Sequence, residues 1–186
     1  MQSILGKIKT FFLDFLETIV VALSIFVVVY LFLFQPHEVN GASMEPNFHN
    51  GEYILTDKIT KQFKPFERGN VVIFKSPANP EIDYIKRIIG LPGDRVKVEN
   101  GGVYVNGELL NENYIDVETK ILGKGFIGEG EEITVPNDEF FVMGDNRFHS
   151  SDSREFGTIK KSSIIGKAFV RYWPINKLGL LPQVKY

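Results

Sequence analysis

No cysteine occurs among the 186 residues, which excludes disulfides, thiolate nucleophiles and Cys-ligated metals together and leaves the redox compartment open. An excess of one charge is also missing. The 21 basic and 23 acidic residues nearly balance, so there is no electrostatic footprint for nucleic acid. Histidine is scarce: His37, His49 and His149 lie far apart and form no pair such as H-E-x-x-H. No metal and no cofactor are expected on these grounds. Internal repeats, low-complexity tracts and any long 3.6-residue apolar stripe beyond the first 34 residues are absent as well. The glycines of GKGFIGEGEE (123–132) neither lead into a helix nor precede a Lys-Ser/Thr pair. They predict a mobile loop rather than a phosphate cradle.

What is present begins with one long apolar run. From Thr18 to Phe34 there is no charge, and extension back to Phe15 adds only Glu17. About 20 such residues cross a bilayer core, and the run is apolar on every side, which argues against a buried amphipathic helix. The rival is a cleaved leader, whose apolar region would span only about 7–15 residues before a small-x-small site. Val39-x-Gly41 matches that site poorly, and a cut there would separate the polar loop that follows from its anchor. A retained single-pass anchor over 15–34 is the reading adopted, with the lipid bilayer as its partner. Lys7 and Lys9 precede the run, and QPHEVNGASMEPNFHN after it has no Lys or Arg. The positive-inside rule then puts residues 1–14 in the cytoplasm and 35–186 outside the cell membrane.

Beyond the anchor, short Val/Ile/Phe/Tyr-rich stretches alternate with Gly, Pro, Asn and Asp: GEYILTDKI, GNVVIFKSP, DYIKRIIGLPGD, RVKVENGGVYVNGELL, EEITVPNDEFFVMGD and IGKAFVRYWP. These read as strands, with Glu99-Asn100-Gly101-Gly102 as a hairpin turn and room for a helical turn in SREFGTIKKSSIIG. The fold class is mainly β: one N-terminal transmembrane helix, then a β-rich sandwich or partly closed barrel. Of the aromatics, Phe63, Phe66 and Trp173 are candidates for the lipid headgroup boundary, with core packing as the alternative.

Three polar clusters sit at strand ends or in loops, where function concentrates. Gly41-Ala42-Ser43-Met44-Glu45-Pro46 follows the anchor; a serine there is most often only a turn former. In Tyr84-Ile85-Lys86-Arg87-Ile88-Ile89, strand alternation puts Lys86 and Arg87 on opposite faces. Lys86 either snorkels to water or sits in an apolar setting that lowers its pKa and lets it accept a proton. The third cluster, Met143-Gly144-Asp145-Asn146-Arg147-Phe148-His149-Ser150-Ser151-Asp152-Ser153-Arg154, is either a solvated loop or a source of orienting hydrogen bonds and a buried ion pair.

The motifs S-M-x-P, Y-I-K-R-I-I-G-L-P-G-D and G-D-N-R-x-x-S-x-D-S-R, in this order behind an N-terminal span, resemble bacterial type I signal peptidases over nearly all of residues 16–175. The resemblance implies the β-rich Ser/Lys fold shared with LexA-like proteins, with Ser43 as nucleophile and Lys86 as general base. It implies that Ser150 orients the Lys86 amine and that Asp145 shapes the site. Asp152 and Arg154, with Arg87, would form a supporting ion-pair network. The substrate would be the signal peptides of preproteins, cut after small-x-small (A-x-A) sites. Val39, Met44, Phe48, Tyr84 and Ile85 are candidates to line the pockets, ordinary core being the alternative for each. Gly41 stands where some members carry a serine that donates to the oxyanion, so backbone N–H groups, that of Ser43 at least, or a water must serve. The large extra β-domain of some relatives has no counterpart. A repressor-cleaving Ser/Lys protease would need a DNA-binding domain in place of the anchor, and a silent scaffold would be expected to lack Ser43 or Lys86.

Overall fold

A run without charge satisfies its backbone polar groups best as a helix, where every N–H finds a carbonyl within the same segment. The computed structural model, which describes residues 4–121, 125–182, 184 and 186, has such a helix, α1 (Ile4–Val28). It begins earlier than the apolar run because Lys7, Lys9 and Glu17 are good helix formers in their own right. Its few hydroxyls bond back one turn, as Thr18 does to Asp14 O at 2.8 Å and Ser24 to Val20 O at 2.8 Å. Twenty-five residues rise about 37 Å, and the large apolar side chains from Ile8 to Val28 stand exposed. Length and composition therefore suit a membrane crossing. The next five residues, Val29–Leu33, form a π turn closed by Phe34 N–H on Val29 O.

The chain passes from that turn into a strand without a linker. In order, the strands are β1 (Phe34–Glu38), β2 (Tyr53–Asp57), β3 (Val71–Lys75), β4 (Asp83–Gly90), β5 (Arg95–Glu99), β6 (Gly102–Val105), β7 (Glu108–Leu109), β8 (Glu132–Thr134), β9 (Glu139–Met143), β10 (Ile159–Lys160), β11 (Ile164–Trp173) and β12 (Gly179–Leu180). The larger sheet runs β1-β2-β11-β3-β4-β9-β10, with β12 beside β11, and the smaller runs β7-β6-β5-β8. All pairings are antiparallel, so the mainly β expectation holds. The turn Asn100-Gly101 joins β5 to β6 with φ of 49° and 80°, the left-handed pair that a two-residue hairpin requires. Short helical turns do occur late in the chain, at Ser153–Phe156 and Lys161–Ser163.

Three apolar clusters fill the interior. Val96, Val98, Val103, Val105 and Ile127 of the small sheet's side pack on Ile89, Phe141 and Met143. Phe66, Val72, Phe74, Ile88 and Val142 form a second. Val39, Met44, Phe48, Ile54, Ile73 and Ile85 form the third, which bears the site. Phe66 is buried and meets Phe140 edge-on, so it is core and not a lipid contact; Phe63 and Trp173 are exposed. Part of the glycine-rich segment, residues 123 and 124, lies outside the described residues. From Phe126 on, the segment is pinned rather than loose, since Phe126 N and Ile127 N both bond Arg154 O and Ile127 is buried.

Candidate active site

Ser43 lies in the loop from Val39 to Glu52, whose neck is tied by Val39 N on Glu52 O at 2.8 Å and Gly51 N on Val39 O at 2.9 Å. Met44 and Phe48 are buried on one side of a tight turn and plug the loop into the third cluster. Ser43 is thereby held half-buried at the loop's inner rim. Glu52, itself buried, pairs with Arg171 and Lys177 at 3.0 Å each and ties the loop to the far end of β11.

Lys86 comes from β4, which is buried from Ile85 to Gly90 on both faces. Its side chain is 3% exposed. The Nζ atom is 2.9 Å from Ser43 Oγ and 3.0 Å from Ile85 O, with the Tyr84 ring 5.2 Å away. Burial disfavours the ammonium and lowers its pKa to about 8, although the carboxylates of Asp152 and Asp145 pull the other way. Desolvation outweighs both because neither carboxylate is a direct partner of the amine: each is spent on an arginine.

Those arginine pairs brace the site separately. Arg87 grips Asp145 through Nε at 2.8 Å and Nη2 at 2.6 Å, and donates to Gly69 O at 2.9 Å. Asp145 also accepts from Asn47 of the Ser43 loop at 2.9 Å. Arg154 grips Asp152 through two contacts of 2.8 Å, while Asp152 accepts Gly144 N at 2.9 Å. The single network expected of Arg87, Asp152 and Arg154 is therefore two pairs. The register Arg87↔Met143 brings Arg87 to the end of β9, next to Asp145 and short of Asp152.

The loop after β9 reaches Ser43 through its backbone. Asn146 N bonds Ser43 O at 3.1 Å and Asn146 Nδ2 bonds Ala42 O at 3.0 Å. A Cβ on Gly144 would lie 2.4 Å from Ser43 O and 2.2 Å from Ser150 Oγ, so only glycine permits this approach. Ser150 does not hold the Lys86 amine as expected: its hydroxyl is buried beside Gly144 and makes no hydrogen bond, the amine's contacts going to Ser43 and Ile85. Arg147, given no role of its own by the sequence, is 1% exposed and is clamped by Glu112, Thr119 and Tyr114 behind the loop.

A groove of about 550 Å³ runs from Ser43 and Lys86 towards His37 and Glu81. It exists because the larger sheet curls: His37 on edge strand β1 lies 3.4 Å from Asp83 on β4, four places along the strand order. Between them, β1 has a free edge, and β4 is unpaired with β9 before Arg87. Val39, Tyr84 and Ile85 line the groove. Met44 and Phe48 do not; they lie in the core beneath it.

Residues 12–173 match the family described as signal peptidase, peptidase S26. The chain is 35% identical over 174 residues to signal peptidase I P of Bacillus subtilis subsp. natto, covering 91% of this chain and 94% of that one. It is 38% identical over 166 residues to signal peptidase I of Bacillus caldolyticus, covering 86% and 90%. A crystal structure of a signal peptidase I from Enterococcus faecalis is 34% identical and superposes with a TM-score of 0.47 over 56% of this chain and 97% of that one.

Proposed function

The chain belongs to the signal peptidase family, peptidase S26, a hydrolase that removes signal peptides, and from that premise we propose that Ser43 is its nucleophile and Lys86 its general base. The observation that carries this reading is the 2.9 Å contact between Ser43 Oγ and an amine that is almost wholly buried. A free lysine near pKa 10.4 stays protonated at neutral pH; one near 8 is neutral often enough to take a proton. His49 and His149 are exposed and take no part.

The substrate adds as an extended strand between the free edge of β1 and residues 83–86 of β4, its backbone completing both. Ser43 Oγ attacks the scissile carbonyl as its proton passes to neutral Lys86, and the carbonyl oxygen takes up the charge. Ser43 N–H, with Gly41 providing no side chain nearby, is the donor aimed at that oxygen; a donor of this kind contributes about 3–4 kcal/mol to the transition state. Collapse of the adduct breaks the C–N bond, and the Lys86 ammonium gives its proton to the leaving amine. The neutral amine then takes a proton from water as it adds to the acyl carbon, and returns that proton to Ser43 Oγ as the ester C–O bond breaks. The Arg87–Asp145 and Arg154–Asp152 pairs orient β4 and the Gly144 loop, since desolvation offsets much of what such pairs add to stability. Ser150 is assigned no step.

Specificity for small side chains at the first and third positions before the cut follows from the shallow floor over Val39 and Ile85. The helix anchors the enzyme with its N-terminus in the cytoplasm and residues 35–186 outside. Purified protein incubated with a preprotein is expected to give products whose masses place the cut after a small-x-small site, with Ser43→Ala and Lys86→Ala both inert yet folded. Full cleavage by either variant would sink the dyad.

A further inference from the structure

The pairing of the larger sheet fixes which end of the domain meets the helix. β1 starts at Phe34, and antiparallel β2 ends opposite it at Asp57, so the chain leaving β2 runs back towards α1. Lys58 N then bonds Leu33 O at 3.0 Å. Lys167 of β11 stands opposite Asp57 in the same row. Residues 58–66 and Lys167 therefore sit at the level where the apolar helix gives way to the domain.

That stretch is both basic and aromatic. From Lys58 to Phe66 it has three lysines and no acidic residue. Asp57 Oδ1 accepts Ile59 N at 2.8 Å and Thr60 N at 2.9 Å, which starts a short helical turn, Thr60–Phe63. The turn leaves Phe63 78% exposed, whereas Phe66 enters the core. Beside it lies a hollow of about 290 Å³ bordered by Thr60, Lys64, Asn70 and Lys167, with Glu67 as its one carboxylate. Lys64 is exposed and makes no ion pair among the described residues. A phenyl ring left in water favours the headgroup boundary of a bilayer, and each lysine held near an anionic lipid surface adds about fivefold in affinity. A zwitterionic headgroup brings its own cation, which competes with the lysines for its phosphate.

We propose that residues 58–66 and Lys167 form a docking surface for the lipid leaflet that the helix leaves. Lys64 and Lys167 receive the headgroup phosphate of an anionic phospholipid, and Phe63 enters the headgroup boundary beside it. This rests on the reading of α1 as a membrane anchor, and it is separate from the Ser43–Lys86 chemistry. The surface needs no search to find its ligand, because the helix already holds it against the bilayer.

The test uses the full chain in vesicles. Its one tryptophan, Trp173, is replaced by Phe and Phe63 by Trp, so that a single indole reports from the turn to lipids brominated in their upper acyl chains. Quenching in vesicles of equal parts phosphatidylglycerol and phosphatidylcholine is expected to be at least about twofold that in phosphatidylcholine alone, and Lys64→Gln with Lys167→Gln should bring it down to the phosphatidylcholine level. Wild type gives a second reading with no substitution. In detergent, native mass spectrometry should retain one phosphatidylglycerol at a concentration at least about fivefold below that needed for phosphatidylcholine. Equal quenching in the two kinds of vesicle overturns the inference, as does quenching that survives both lysine substitutions, or equal retention of the two lipids. Cleavage of a short soluble peptide should be unchanged in each variant, which shows that it is folded. Failure of wild type to cleave that peptide takes down the proposed dyad and leaves this inference standing, whereas failure of the chain to float with vesicles takes down the anchor and this inference together.

Discussion

At the scale of single residues, Lys86 must be buried enough to lose its charge and still reach a hydroxyl. Its setting meets both needs, with 3% exposure and a 2.9 Å contact to Ser43 Oγ. The consequence is a pH dependence with a definite sign. Under the proposed mechanism the active form is the neutral amine, so kcat/KM should rise with pH and level off above the lysine's pKa of about 8. A histidine base predicts something well separated. His37 is the histidine at the groove, and burial lowers its pKa below the ordinary histidine value of about 6.5, so its acid limb would fall lower still. Profiles of wild type and His37→Gln on a short peptide should share a limb near 8; a limb below 6.5, or one that moves by more than a unit in the variant, would rule out Lys86. Lys86→Arg should be inactive at every pH reached, because guanidinium does not deprotonate in that range.

At the scale of elements, the site is a meeting of two loops and one strand, and Gly144 sets how closely they meet. An alanine there would put Cβ 2.4 Å from Ser43 O and 2.2 Å from Ser150 Oγ. The hydroxyl can swing away, but the Ser43 carbonyl is fixed by Asn146 N, so the Ser43 backbone must shift. Gly144→Ala is expected to cost about a hundredfold in kcat/KM, the scale of a misplacement near 1 Å, with a destabilisation of only about 1–3 kcal/mol. Gly144→Ala with Ser150→Gly relieves one clash and should not restore activity; restoration would show that Ser150, not Ser43, feels the methyl. Elements also show what the sequence makes legible. β2, β3, β5, β6 and β11 were readable because apolar alternation and turn residues bound them. β1 was not: FQPHE has little apolar character, and Pro36 suits an edge strand with no donor to offer. Lys86 and Ser43 were readable from their motifs, and Arg87 was too. Its partner Asp145 was not, because that choice depends on the β4–β9 register. Asn47, Asn146 and Thr56 were missed since such residues in a sequence look like ordinary turn and strand positions.

At the scale of the whole molecule, the join between helix and domain is rigid. Phe34 follows the π turn directly, pairs with Asp57 on β2, and packs its ring 5.3 Å from Phe169 on β11. Lys58 N bonds Leu33 O at 3.0 Å, gripping the last residue of the turn. Ser43 is only nine residues beyond Phe34, four of them consumed by β1 and its pairing. Ser43 is therefore held at a fixed height over the end of the apolar helix rather than swung on a tether. Under the proposed function, with the helix in a bilayer, that height is where the end of a membrane-borne signal peptide has to be met. Ten Gly/Ser residues inserted between Leu33 and Phe34 would add roughly 17–19 Å of flexible reach without touching the groove. Cleavage of a short soluble peptide is expected to stay within about threefold of wild type, whereas cleavage of a precursor embedded in the same vesicles should fall at least about tenfold, because docking height is no longer pre-organised. Equal retention of both activities would mean that the rigid join has no part in presenting the site, and that the helix serves only to keep enzyme and precursor in one membrane.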